Sequence, residues 1–166
     1  MKMFDFSPGN LAKTAKLIEP DLRKAFATAL KTNKINLDNI IHDLHDKATR
    51  KFNCLECGNC CRSLGPRILE KDIDRLSKSL KIKPKAFIEK YLLIDEDNDF
   101  IFKSMPCPFL CSDNYCSVYE NRPKACCEYP HTDRNKIHQI REIIIKNNSV
   151  CPISLWISNE FIKSIH

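Results

Sequence analysis

Glycine is scarce in this sequence. Three occur in 166 residues, at positions 9, 58 and 65. A phosphate-cradling loop needs several glycines a few residues apart, so a Gly-rich phosphate loop and a GxGxxG cradle for a dinucleotide or S-adenosylmethionine are both excluded. Long apolar runs are missing too. No stretch approaches the roughly 18 apolar residues that span a bilayer, and no membrane role is expected. Met1 to Asn10 carries no apolar run behind its lysine, so no secretory signal is read there and the expected location is the cytoplasm. No Ser/His/Asp set stands out for nucleophilic chemistry, and there are no repeats or low-complexity tracts.

Cysteine is what the chain has in excess. Ten cysteines in a reducing compartment point to metal rather than to disulfides. Four of them fall in Cys54-Leu55-Glu56-Cys57-Gly58-Asn59-Cys60-Cys61-Arg62, spaced Cys-x2-Cys-x2-Cys-Cys. Two intervening residues let a tight turn aim both sulfurs at one ion, and Gly58 supplies the backbone freedom that turn wants. Neighbouring side chains point in different directions, so the adjacent pair Cys60-Cys61 suits a double site better than one small tetrahedral site. Cys107, Cys111, Cys116 and Cys126 bring the thiols to eight, enough for two four-thiolate centres, and Cys151 is a ninth candidate ligand. The formal charge of +6 is weak evidence for a nucleic-acid partner. Eight thiolates holding two dications would lower that charge to about +2.

The rest of the chain reads mainly as helix. From Asn10 a helical pattern runs through Leu11, Ala15, Leu17 and Ile18. Pro20 is expected to end it, with a second helix from Asp21 carrying Leu22, Ala25, Phe26, Ala29 and Leu30. Asn36-Leu37-Asp38 opens another, with Leu37, Ile40, Ile41, Leu44 and Ala48 on one face. Ile68, Leu69, Ile73, Leu76 and Leu80 keep a 3.6-residue rhythm, and Pro84 suits the first turn of a helix to Leu92. Phe100-Ile101-Phe102 reads as a strand in a hairpin with Leu92 to Ile94. The intervening Asp95-Glu96-Asp97-Asn98-Asp99 lacks the Gly and distal Glu of a calcium loop and reads as a solvated turn. Ile137 to Ile145 fits helix or strand, and Pro152 starts a last helix through Leu155, Trp156, Phe161 and Ile162. The expected fold is mainly α, or irregular α+β: a helical amino-terminal arm over residues 1–51 and a cysteine-rich, metal-centred domain over residues 52–166 with a short β-hairpin.

In order, the cysteine motifs are Cys54-x2-Cys57-Gly58-x-Cys60-Cys61-Arg62, Cys107-Pro108-Phe109-Leu110, Cys116-x-Val118-Tyr119-Glu120-x-Arg122-Pro123-x2-Cys126, and Cys151-Pro152. Together they resemble the CxxCxxCC cysteine-cluster family (the YkgJ type), described as a zinc- or iron-chelating domain. Asp72 to Leu76 (Asp-x-x-Arg-Leu) and Phe87 to Tyr91 look like that family's linking segment. The resemblance spans residues 52–156 and implies metal or cluster chelation. Flagellin lysine N-methylases carry a similar cluster, but this chain shows no methyl-donor site. Cys127 stands where the family tends to have a basic residue, and Tyr129-Pro130 where it usually has Phe-Pro.

Zinc and iron–sulfur both suit the spacing. Cys54, Cys57 and Cys60 match the first three ligands of the bacterial ferredoxin run, and Cys107-Pro108 and Cys151-Pro152 each offer a remote Cys-Pro. Cys57-Gly58 equally suits a zinc knuckle. The balance favours iron–sulfur. Cys127 reads as an extra ligand, a redox thiol or a passenger. His42 and His45 read as a solvated helix face, and His131 as a possible ligand beside the cluster. Arg122 is expected to position the turn into Cys126 and offset thiolate charge, Glu120 to pair with a basic neighbour, and Trp156 to lie in the core. Three functions follow: an iron–sulfur protein for electron transfer or an enzyme-associated role, a zinc-stapled interaction module docking through Lys13, Lys16, Arg23, Lys24 and Lys31, or a protein-modifying enzyme. Each implies a redox or substrate protein as partner.

Overall fold

A computed structural model describes residues 6–32 and 36–165. In chain order the helices are α1 (Leu11–Lys31), α2 (Leu37–Lys51), α3 (Cys54–Cys57), α4 (Asn59–Ser63), α5 (Glu70–Ser79) and α6 (Pro84–Tyr91). The hairpin strands β1 (Leu92–Ile94) and β2 (Phe100–Phe102) follow, then α7 (Lys124–Glu128), α8 (Arg141–Asn147) and α9 (Pro152–Ile165). The protein is mainly α with a small antiparallel hairpin, as its sequence indicates. Among the described residues no helix is long and apolar enough to cross a membrane.

The chain divides into two compact units, Met1–Asn53 with Pro130–His166, and Cys54–Tyr129. The expected partition into 1–51 and 52–166 differs from this at the carboxyl side, where residues from Pro130 onward group with the amino-terminal helices. The physical reason is α9. Ile153, Leu155, Ile157 and Phe161 are buried, and so are Ser154, Ser158 and Asn159. A helix covered on nearly every side belongs inside a bundle, and α9 packs against α1, α2 and α8. Phe161 meets Phe26 of α1 with ring centroids 5.0 Å apart. The buried hydroxyls of Ser154 and Ser158 donate to Asn148 Oδ1 at 2.7 and 3.0 Å. Trp156, half-buried, meets Phe52 edge-on.

Pro20 does not end the first helix, and α1 runs unbroken through it. An interior proline costs about 3 kcal/mol. Leu11, Leu22 and Phe26 of the same helix are at most 2% exposed, and each buried side chain of this size contributes about 1.5–3 kcal/mol. One continuous apolar face outweighs one missing backbone bond, and the proline ring sits on the solvent side. Asn36 caps α2 as expected, its side chain accepting from the Asn39 amide at 3.1 Å. The ambiguous segment Ile137 to Ile145 is helical, a 3-10 turn at Ile137–Gln139 leading into α8. Asp38 holds that turn by accepting from the Lys136 and Ile137 amides.

The second unit has its own core. Ile68, Ile73, Leu76, Phe87, Leu92, Phe102, Phe109 and Val118 form one buried cluster. The hairpin register is Leu92 opposite Phe102 and Ile94 opposite Phe100. Phe109 stacks on Phe87 and meets Tyr91 and Phe102. Phe109 and Val118 pin the two cysteine-bearing loops to this core, because each is an apolar anchor within two residues of Cys107, Cys111 or Cys116.

Candidate metal centre

The site begins with two helical turns back to back. Cys54 and Cys57 lie three apart on α3, which places their side chains on one face. Gly58 follows in the left-handed region, φ 55°, and redirects the chain into α4, which carries Cys60 and Cys61 with sulfurs 3.9 Å apart. A Cβ on residue 58 would stand 2.8 Å from Arg62 Nη1 and 3.3 Å from Asn114 Cβ. The left-handed backbone favours glycine there, and a side chain would also displace the end of Arg62. Arg62 passes close to Gly58, donating from Nη1 to the Cys57 carbonyl at 3.1 Å and from Nη2 to Asn114 Oδ1. Asn114 in turn donates to the Glu56 carbonyl at 2.8 Å.

This clamp brings the loop of Cys107, Cys111 and Cys116 to the first four thiols. The Cys107 amide donates to the Cys61 carbonyl at 2.7 Å, and Leu110 forms a β-bridge with Cys116. The third segment arrives through Arg122-Pro123. The Arg122 guanidinium lies 3.8 Å over the Tyr119 ring and donates to the Tyr119 carbonyl. After Pro123, α7 presents Cys126 and the exposed Cys127, whose thiol donates to the Arg122 carbonyl at 3.6 Å.

Cys61 links two of the cysteine segments, its sulfur 3.9 Å from Cys60 Sγ and its carbonyl accepting from the Cys107 amide. Cys54, Cys107, Cys116 and Cys126 each feel its charge, and Cys60 is hydrogen-bonded to it. The Cys60 contact lowers the Cys61 thiol to about 7, against the effect of burial and helped by Arg62. Burial pushes Cys107 up to about 11. Burial, reinforced by the thiols of Cys61, Cys107, Cys116 and Cys127, pushes Cys126 up to about 12. Cys116 is raised by burial and eased by Arg122. Two cations therefore act on the thiols, Arg62 on Cys61 and Arg122 on Cys54 and Cys116.

Of the sequence-derived candidates, Cys54, Cys57, Cys60, Cys61, Cys107, Cys111, Cys116 and Cys126 share the unit Cys54–Tyr129, together with Cys127. Cys151 lies in the other unit, 6% exposed, at the head of α9. His42, His45 and His131 are also in that unit. The two α2 histidines are half-buried and structural rather than solvated: His42 Nε2 contacts the Arg134 carbonyl at 2.9 Å, and His45 Nδ1 contacts Thr132 Oγ1 at 2.8 Å. Glu120 is exposed and forms no ion pair among the described residues. Asn114 was not legible as a site residue, because a single Asn in a loop carries no spacing signal. Arg62 was visible only as part of the cysteine motif.

The donor set fits a thiophilic ion. Thiolates bind such ions, and Cys61 already gives up its proton near neutrality. Among the described residues no group of three or more His, Cys, Asp or Glu side chains is arranged to hold an ion as it stands. Chelation therefore calls for the thiols to shift from the positions they hold here.

Comparisons with curated proteins and with solved structures gave no match. A family model does match, over residues 53–152, running from the first thiol turn to the start of α9. That family is CxxCxxCC, described as a "Putative zinc- or iron-chelating domain", and the chain belongs to it.

Proposed function

We propose that the unit Cys54–Tyr129 chelates metal through the thiolates of Cys54, Cys57, Cys60, Cys61, Cys107, Cys111, Cys116 and Cys126 in two adjoining centres. On this reading the metal is iron in iron–sulfur clusters, and the protein passes electrons to a protein partner or assists an enzyme. The observation that carries it is the place of Cys61, whose sulfur lies 3.9 Å from Cys60 Sγ and whose carbonyl accepts from the Cys107 amide at 2.7 Å, so that two cysteine segments meet at one residue. Two centres set side by side need such a junction, and the adjacent pair Cys60-Cys61 lets each thiolate serve a different one. Cys107 and Cys126 keep their protons at neutral pH, so metal uptake releases protons there. Arg62 and Arg122 offset the thiolate charge that results. Clusters ligated wholly by thiolate serve electron transfer or structure.

A second reading is a zinc-stapled interaction module. The left-handed Gly58 directly after Cys57 favours it, since that turn also shapes a zinc knuckle. Iron, zinc and acid-labile sulfide per chain, measured on protein purified without air, separate the two. Iron and sulfide in near-equal amounts support the cluster reading. Zinc without sulfide would move the function to the interaction module. Neither metal, with the thiols oxidised, would overturn chelation itself. Cys61→Ser is expected to lower metal content, whereas Cys151→Ser leaves it unchanged.

A further inference from the structure

A buried carboxylate outside the thiol cluster governs where one of its segments begins. Asp72 on α5 is 1% exposed. Its Oδ2 accepts from the Leu69 amide at 3.0 Å, which caps its own helix. Its Oδ1 accepts from Arg75 Nη2 at 2.6 Å and from the Lys124 amide at 3.1 Å. Lys124 is the first residue of α7, two before Cys126. One carboxylate thus satisfies amides at the starts of two helices far apart in sequence. Arg75 completes the link, donating from Nε to the Asn121 carbonyl at 3.3 Å and from Nη2 to the Arg122 carbonyl at 2.8 Å. Both Asp72 oxygens are occupied, so Asp72 is not itself a metal ligand.

We infer that Asp72 and Arg75 are positioning residues for Cys126 and Arg122, an inference that rests on the reading of Cys126 as a ligand. Asp72 fixes the first amide of α7 and hence the direction of the Cys126 side chain. Arg75 fixes the carbonyls on either side of the turn that carries the Arg122 guanidinium. A buried acceptor has no substitute in water, so the geometry of this segment depends on Asp72 being present and charged. This gives the Asp-x-x-Arg spacing its physical meaning. The two residues are one helical turn apart, so the arginine folds back onto the carboxylate while its remaining donors reach the Arg122 turn.

The test compares wild type, Asp72→Asn and Arg75→Lys. Arg75→Lys retains the charge but loses the planar fork. On the reduced, metal-free chain, iodoacetamide modification is followed at each cysteine by mass spectrometry. Cys126 is expected to react about tenfold faster in Asp72→Asn and a few-fold faster in Arg75→Lys, with Cys107 changing less than about twofold. On the cobalt(II)-loaded chain, both variants are expected to release cobalt to a chelator about tenfold faster and to show a weakened sulfur-to-cobalt band. An unchanged Cys126 rate in both variants overturns the inference, as does a rise at Cys107 in step with Cys126, which would mean general loosening. Should Asp72→Asn fail to fold, Arg75→Lys decides. A wild-type chain that takes up no cobalt would sink the chelation reading and leave the modification rates to decide the positioning by themselves.

Discussion

The two units solve the problem of holding together a small number of residues in different ways. Met1–Asn53 with Pro130–His166 uses long helices around an almost wholly buried α9, with ring contacts such as Phe26–Phe161 and hydroxyls satisfied by Asn148. Cys54–Tyr129 uses short helices, a hairpin of two three-residue strands and loops, pinned by Phe109 and Val118 and by side-chain clamps from Arg62, Asn114, Asp72 and Arg75. In the first unit polar groups fill gaps left by apolar packing. In the second, polar side chains decide where the loops go, and the loops carry the thiols. A helix needs only periodicity to face its core, whereas a loop needs named partners for its backbone groups.

The largest expected effect breaks the comparison on its apolar side. Phe161→Ala removes a fully buried ring and is expected to cost about 3–5 kcal/mol, read from urea unfolding. Metal content of the surviving folded chain should stay unchanged, because the eight proposed ligands belong to the other unit. A loss of metal in proportion would show that the units do not act separately.

A smaller effect sharpens the loop side. Gly58→Ala forces a side chain into the left-handed region and against Arg62, for a cost of about 1–2 kcal/mol. Gly65→Ala, in the same unit, meets nothing within 4 Å and has no left-handed backbone to strain, so its unfolding midpoint should match wild type. Equal effects of the two substitutions would remove Gly58 from the argument.

The most gradual effect is a dependence on pH in the reduced, metal-free chain. The folded chain keeps the Cys107 proton up to about 11 and the Cys126 proton up to about 12, where an ordinary thiol gives it up near 9. Above pH 9 the unfolded chain sheds protons that the folded chain retains. The contribution of these two thiols is therefore complete below pH 9 and falls as pH rises toward 12, whereas Cys61, lowered to about 7, adds stability as pH rises from 7 to 9. The loss is at most about 1.4 kcal/mol per pH unit for each thiol, and less after screening by water at these half-exposed sites. Unfolding followed at the Trp156 fluorescence, which reports the other unit, should show little of this slope. A slope of equal size there would contradict its assignment to Cys107 and Cys126.

Much of the fold was legible before any coordinates. The Asn36 cap, the Pro84 start, the hairpin of Leu92–Ile94 with Phe100–Phe102 and the Pro152 helix all follow from local rules that a few neighbouring residues satisfy by themselves. Pro20 misled because its cost is local while the apolar face that overrides it spans the whole helix. The run Ile143-Ile144-Ile145 left helix and strand open, since β-branched residues suit both until packing on α9 and α1 decides between them.

The same division holds for the site. Composition and spacing alone determined that this is a thiol-rich, glycine-poor chain of the CxxCxxCC kind, since ligand chemistry is written in residue type and interval. Only the tertiary structure decided that Cys151 and the histidines lie in a different unit from the other nine thiols, that the Cys107 loop is tied to Cys61, and that Asn114, Asp72 and Arg75 hold the loops. Those facts depend on which backbone carbonyls and amides come to face one another across fifty residues of chain, and no local spacing encodes that.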